Sequence, residues 1–240
     1  MMKAVVIAAG RGRRLMPFTR TLPKPLVRVN GKPLLNHIMN ALRNVGINRC
    51  IIITGYLEHA LRRYLGDGSK FNMKIKCCYN PTYVDGNATS LKAAQKMLSM
   101  DDKFLLIMAD HLINEKIIKA SLENVDRAPL LCVDCRPYES QVEEATKVLV
   151  GVDGYVKDIG KYIFSWNAID TGTFLLDKQV FNEINRAEHK FSPPLTLSKC
   201  IKQMIKGGNK LWACDVSGCF WLDIDTIEDL VLAEQLLGRY

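Results

Sequence analysis

Apolar positions along the chain recur in two patterns. Strand-length, largely apolar runs lie at residues 3–9, 50–54, 74–79 and 103–109. Between them, residues 33–45, 58–65 and 89–97 place Leu, Ile, Met and Ala at helical spacing. This alternation is the pattern of βαβ units that feed a parallel sheet. Pro33, just after Gly31 and Lys32, reads as a first-turn position of the first helix. After about Pro129 the β pieces shorten, to 130–134, 146–150, 155–159 and 173–176, punctuated by Gly151, Gly154, Gly160 and Gly172. A smaller mixed β lobe is predicted there. Helical spacing returns at 179–187 and 195–205, followed by a strand pair at 210–215 and 219–222 and a last helix over 226–237. Thr226 suits the N-cap of that helix, with Glu228 and Asp229 in its first turn.

Open α/β sheets bind ligands beyond the carboxyl ends of their strands. That rule points to Gly10, Gly55, Asn80 and Asp110. Composition then narrows the chemistry. With 240 residues, 48% hydrophobic and 24% charged, the chain has material for a single domain over 1–240. Its apolar runs fall far short of the ~20 residues a membrane span needs. No apolar leader with a cleavage site follows Met1, so a cytoplasmic location is expected. The excess of 33 basic over 25 acidic residues favours an anionic partner. Much of that excess sits in Arg11, Arg13, Arg14, Arg20, Lys24, Arg28 and Lys32. This stretch lacks the interleaved stacking aromatics of a single-strand binding surface, and no nucleic-acid partner is expected. Cys132 and Cys135 have zinc-type spacing, but no second pair follows: Cys77 and Cys78 are adjacent, and four residues separate Cys214 from Cys219. Buried reduced thiols are the preferred reading.

Three constellations carry chemistry. The first is the strand end Ala8-Ala9 running into Gly10-Arg-Gly12-Arg-Arg14, then Pro23-Lys24-Pro25. Glycines after a strand let backbone N–H groups cradle phosphates, and Arg14 and Lys24 would neutralise them. The alternative is a flexible basic turn. A Walker A loop is excluded by spacing, and a dinucleotide fingerprint fails at Leu15, where a third glycine is required. The second constellation is the apolar strand ending on Asp110-His111. Such an aspartate either ligates Mg²⁺ or caps the next helix near Asn114; His111 has no assigned role. The third is Trp221-Leu-Asp223-Ile-Asp225-Thr226, in which Asp223 and Asp225 share a face in strand register. Gly86-Asn87-Ala88-Thr89-Ser90 opens a helix and either meets a nucleotide through Gly86, Asn87, Thr89 and Ser90, or simply caps that helix.

Residues 8–34, AAGRGRRLMPFTRTLPKPLVRVNGKPL, resemble the signature of the sugar-phosphate nucleotidylyltransferase superfamily, and MADH and WLDIDT extend the resemblance along the chain. It implies a Rossmann-like three-layer α/β/α nucleotidyltransferase fold with a mostly parallel mixed sheet, NTP binding in residues 1–128 and acceptor binding in 129–240. Arg14 and Lys24 would contact the NTP phosphates, and Asp110 and Asp225 would hold Mg²⁺, with Asp223 as the second choice. Lys161 follows Ile159-Gly160 where the superfamily has Glu-Lys-Pro; the glutamate and proline are missing here. The stretch EATKV…IGKYIFSWNAIDTG resembles inositol-1-phosphate cytidylyltransferases and, less closely, phosphocholine cytidylyltransferases. The resemblance therefore implies CTP and a phosphorylated alcohol as substrates, with Lys147, Lys161, Asp170, Thr171 and Gly172 on the acceptor side. It also implies fusion or coupling to a membrane CDP-alcohol phosphotransferase. Asn167, Asp170 and Thr171 offer donors and acceptors to a polyol. Tyr162, Phe164 and Trp166 would either cage a quaternary ammonium or pack in the core. A nucleotide-binding regulator without turnover is the reading from another class.

Overall fold

The computed structural model describes residues 2–98 and 103–237. Thirteen strands follow in chain order: β1 (Lys3–Ala8), β2 (Arg28–Val29), β3 (Lys32–Pro33), β4 (Arg49–Thr54), β5 (Lys74–Tyr79), β6 (Phe104–Met108), β7 (His111–Ile113), β8 (Leu130–Asp134), β9 (Lys147–Val150), β10 (Val156–Gly160), β11 (Ala168–Leu176), β12 (Trp212–Asp215) and β13 (Trp221–Asp223). The helices are α1 (Leu34–Asn44), α2 (Glu58–Leu65), α3 (Asn87–Ala93), α4 (Glu115–Glu123), α5 (Glu139–Val142), α6 (Gln179–Lys190), α7 (Leu197–Lys206) and α8 (Ile227–Leu237).

Nine of the strands form one sheet in the order β10-β9-β11-β6-β1-β4-β5, with β8 beside β11 and β12 beside β8. β1, β4, β5 and β6 are mutually parallel, whereas β10 and β11 run against the rest. Strand alternation sorts the core into two layers. Ala4, Val6 and Ala8 of β1 pack with Leu35, Ile38 and Leu42 of α1, Leu61 of α2 and Ile117 of α4. Val5 and Ile7 pack on the opposite face with Leu91 of α3, Phe181 and Ile184 of α6 and Ile201 of α7. Both faces are covered, which is why these strands read as apolar runs without polar alternation.

Several boundaries differ from the sequence reading. Pro33 is the N-cap residue of α1 and sits outside its first turn. The 89–97 helix begins two residues earlier, at Asn87, and continues past Ala93 as a 3₁₀ turn. α4 begins just after Asn114, where a helix is expected without bounds, and α5 is a short helix absent from the sequence reading. The strands at 210–215 and 219–222 do not pair with each other: β12 joins β8, and β13 joins β7. The sheet also takes strands from both sides of the expected 128/129 division, because β6 pairs directly with β11. The smaller lobe is thus the edge of the same sheet, where β9 and β10 extend it.

A third apolar cluster holds the pieces that surround the strand ends. Leu15, Val29, Leu34, Leu112, Leu222, Ile224 and Leu230 are buried together. Burying a side chain of this size contributes about 1.5–3 kcal/mol. Leu15 and Ile224 therefore anchor a glycine-rich cationic loop and the β13–α8 connection, leaving their neighbours Arg14, Asp223 and Asp225 to face outward.

Candidate functional site

β11 creates the opening. Its Leu175 is flanked by Leu130 and Leu105, and its Ile169 by Asp134 and Lys147, so β6 and β9 pair with the same edge of β11 at different heights. Asp170, Thr171 and Gly172 span the gap between them, opposite the point where β6 ends and Asp110 and His111 begin. The cleft there has a volume of about 410 Å³, and Arg14, Asp110, Glu144, Lys161, Asp170 and Asp225 are among its lining residues.

Lys24 organises the charges. It is buried, with its Nζ 2.6 Å from Asp225 Oδ1 and 3.1 Å from Asp110 Oδ2. Burial works against the ammonium, but the Asp110 and Asp225 carboxylates outweigh it and raise the Lys24 pKa. Burial likewise opposes the Asp110 carboxylate, while Lys24 and the His111 hydrogen bond hold it below the usual carboxylate range. Gly12 makes this seat for Lys24. Its φ is +59°, and a Cβ on it would lie 2.9 Å from Lys24 Cβ. Thr19 Oγ1 donates to the Gly12 carbonyl and fixes the turn. Gly10, by contrast, is open to solvent with nothing near its missing side chain.

Arg14 pairs with Asp225 through one nitrogen and lies 3.3 Å from Glu144 Oε2 through the other. Lys161 Nζ is 3.0 Å from that same Glu144 oxygen. Glu144, unassigned from the sequence, thus links the cation expected on the donor side to the one expected on the acceptor side. α8 fixes Asp225: Asp229 Oδ2 accepts from the Asp225 and Thr226 N–H groups, and Thr226 Oγ1 accepts from Asp229 N. That reciprocal arrangement is the N-terminal capping expected at Thr226.

His111 Nδ1 lies 3.0 Å from Asp110 Oδ1 and 3.8 Å from Asp223 Oδ1. Burial disfavours the imidazolium, but Asp223 and Asp110 raise His111 to about 9. Burial pushes Asp223 up to about 7, helped by Asp110 and opposed by His111. Asp170 is likewise pushed to about 6 by burial, against the Gly172 N–H and His111. Among the described residues, Asp110, His111 and Asp223 form the group whose ligand atoms lie within 4.8 Å of one another. Asp110 does not cap the following helix. Asn114 does so, accepting from Lys116 N.

Other expected residues have different duties. Thr171 is buried and donates to the Cys132 carbonyl, so its hydroxyl is engaged within the sheet. Lys147 Nζ contacts the carbonyls of Val142 and Lys161. Gly86 is required by packing, since a Cβ on it would lie 2.0 Å from the Leu195 carbonyl oxygen. Asn87 lines the cleft, and its Oδ1 also accepts from Leu197 N at 2.7 Å, so it caps α7 rather than its own helix. Thr89 Oγ1 donates to the Gly86 carbonyl, and buried Ser90 accepts from Asn80, which ties this loop to the end of β5. Ala8 and Ala9 are buried beneath the loop. Tyr162 and Phe164 stand 92% and 104% exposed, outside the cleft lining, and form neither a cage nor core. Cys132 is buried beside Cys214 while Cys135 is exposed, so the two cysteines of the zinc-type spacing sit in different surroundings.

The fold and the cluster of cations and carboxylates beyond its strand ends define a nucleotidyltransferase. Residues 3–147 match the model of the nucleotidyl transferase family, and the chain belongs to that family. It is 32% identical over 237 residues to the "Bifunctional IPC transferase and DIPP synthase" of Aquifex aeolicus, covering 98% of this chain and 52% of that protein. The same description applies to an Archaeoglobus fulgidus protein, also 32% identical, with 99% of this chain and 44% of the relative covered. The chain spans about half the length of these relatives. Among solved structures, the inositol-1-phosphate CTP transferase of T. maritima superposes with a TM-score of 0.86 at 25% identity, covering 100% of this chain and 96% of that one. Among the described residues, no helix is long and apolar enough to cross a membrane.

Proposed function

We propose that the chain transfers CMP from CTP to 1L-myo-inositol-1-phosphate, giving CDP-inositol and pyrophosphate. The observation that carries this reading is the alignment of Arg14 and Lys161 on one Glu144 oxygen, beside Lys24, Asp110 and Asp225. Two cationic seats of this kind suit two phosphates held side by side. An acceptor phosphate oxygen would attack the α-phosphorus in line, and the bond from that phosphorus to the bridging oxygen of pyrophosphate would break. The acceptor is already anionic at neutral pH, so no general base or covalent nucleophile is required. Arg14 and Lys24 would neutralise the donor phosphates, Lys161 would hold the acceptor phosphate, and charge stabilisation with positioning would supply the rate. The loop of Gly86, Asn87, Thr89 and Ser90 would lie against the nucleoside, and Asp170 and Gly172 against the polyol; Asn167 stands outside the cleft lining, its amide exchanging two hydrogen bonds with the Val150 backbone.

The carboxylates fit a divalent cation. Lys24 already places one positive charge between Asp110 and Asp225, and Asp223 Oδ1 is buried without a hydrogen-bond partner. Asp110 and Asp225 would hold Mg²⁺, with Asp223 adjacent, and the ion would supply neutralisation of phosphate charge.

The names of the relatives support cytidylyl transfer and inositol phosphate over other donors and acceptors. The exposure of Tyr162 and Phe164 weighs against phosphocholine, whose quaternary ammonium would want an aromatic cage. Coupling to a membrane CDP-alcohol phosphotransferase is part of the proposal, supported by the second activity in the names of relatives twice as long. The test is a competition assay with CTP, Mg²⁺ and equimolar inositol-1-phosphate, phosphocholine and glucose-1-phosphate. CDP-inositol should dominate. Another dominant product overturns the acceptor, and CTP binding without pyrophosphate release across the panel would favour a regulator.

A further inference from the structure

Asp110 divides its two oxygens. Oδ2 faces Lys24 Nζ at 3.1 Å, while Oδ1 accepts from His111 Nδ1 at 3.0 Å. Asp223 Oδ1 lies 3.8 Å from the same nitrogen, so Nδ1 faces two carboxylates among the described residues and carries its proton toward Asp110. The imidazole is held on more than one side. One face stacks on Trp221 at 6.1 Å with the planes 12° apart. The Trp221 indole N–H donates to Asp134 Oδ2 at 2.9 Å, and the Trp221 carbonyl accepts from Gln141 Nε2 at 3.1 Å. At another side lies Gly172, where a Cβ would sit 2.6 Å from His111 Cδ2. The backbone is fixed as well, since His111 is opposite Asp223 in the β7–β13 ladder.

We propose that His111 is a positioning residue that reserves one oxygen of Asp110, making this aspartate a one-oxygen ligand and so selecting a small octahedral divalent cation over a larger one. The inference rests on the reading of Asp110 as a metal ligand. Ca²⁺ takes carboxylates in bidentate as well as single-oxygen fashion with loose geometry, whereas Mg²⁺ demands near-ideal octahedral coordination. The His111 hydrogen bond occupies one lone pair of Oδ1 and orients the carboxylate, which disfavours bidentate binding by Asp110. Partners that orient a ligating carboxylate typically govern 10–100-fold of metal affinity.

The test is calorimetric titration of the full chain with Mg²⁺ alone and with Ca²⁺ alone, for wild type, His111→Phe, His111→Asn and Asp110→Ala. His111→Phe keeps a ring to stack on Trp221 and loses the donor. It should weaken Mg²⁺ by about 10-fold and narrow the preference for Mg²⁺ over Ca²⁺. His111→Asn offers an amide N–H near the position of Nδ1 and should restore most of both. An unchanged Mg²⁺-to-Ca²⁺ ratio in His111→Phe, with only a lower melting temperature, would make His111 a packing residue and overturn the inference. If Asp110→Ala leaves Mg²⁺ binding intact, the metal reading of Asp110 falls, and this inference falls with it.

Discussion

Lys24 reaches across 201 residues of sequence to place its ammonium 2.6 Å from Asp225 Oδ1. Buried charges of this kind are stabilised only by each other, and removing one leaves the other uncompensated. Lys24→Met should therefore lower stability by about 1–3 kcal/mol in the presence of a chelator, a range reduced below that of a fully buried pair because both aspartates keep some solvent contact. Added Mg²⁺ should recover part of the loss. Denaturant melts with EDTA and with Mg²⁺ check this, and equal stability of variant and parent in EDTA would contradict it.

Asp110→Ala and Asp225→Ala should each reduce turnover by at least about 10²-fold, the scale of losing a major electrostatic element, with the circular dichroism spectrum preserved. Steady-state kinetics decide it. Near-normal turnover in either variant removes that residue from the reaction.

Glu144 competes with phosphate for two cations. Its carboxyl is held below the usual range chiefly by the Lys161 hydrogen bond, with Arg14 adding to it. Glu144→Gln should lower the acceptor KM several-fold by freeing Lys161. Arg14→Ala should chiefly impair use of the NTP, and Lys161→Ala should chiefly raise the acceptor KM. A Lys161→Ala enzyme weakened toward CTP alone would refute the division into donor and acceptor sides.

Asp170 gives a pH signature. Its folded pKa of about 6 lies above its unfolded value, so between roughly pH 4 and pH 6 the folded chain keeps a proton that the unfolded chain has lost. The Asp170 contribution to stability should fall as pH rises through that window and change no further above it. Asp170→Asn, which still offers an oxygen to the Gly172 N–H, should raise the melting temperature at pH 8 and change it little at pH 4. An equal shift at both pH values would rule out the ionisation as the cause.

The layered fold was legible because burial on both faces writes itself as apolar runs, as in β1 and β6. α4 had a readable start at Asn114, where a helix is expected, but its extent over Glu115–Glu123 is short and carries only Ile117 and Ile118 as a strong apolar signal ahead of Ser121. For a different reason, the surroundings of Thr171 were not legible. The β11–β8 ladder shifts register between Asp170 and Phe174, and the Thr171 hydroxyl bonds to the Cys132 carbonyl within that irregular stretch. A polar residue in a glycine-marked strand looks the same from sequence whether it faces a ligand or repairs a ladder. Glu144 was hidden in a charge-rich segment, because its role depends on meeting Arg14 from 130 residues away.

Gly12 changes what the family signature records. A glycine after a first strand is usually counted as room for phosphate, yet here the space is filled by the stem of Lys24. Position 12 is therefore held to glycine twice over, by its positive φ and by the stem of Lys24 against it. A methyl group there would meet Lys24 Cβ, an atom that every residue but glycine carries, so no shorter cation at position 24 would make room for it.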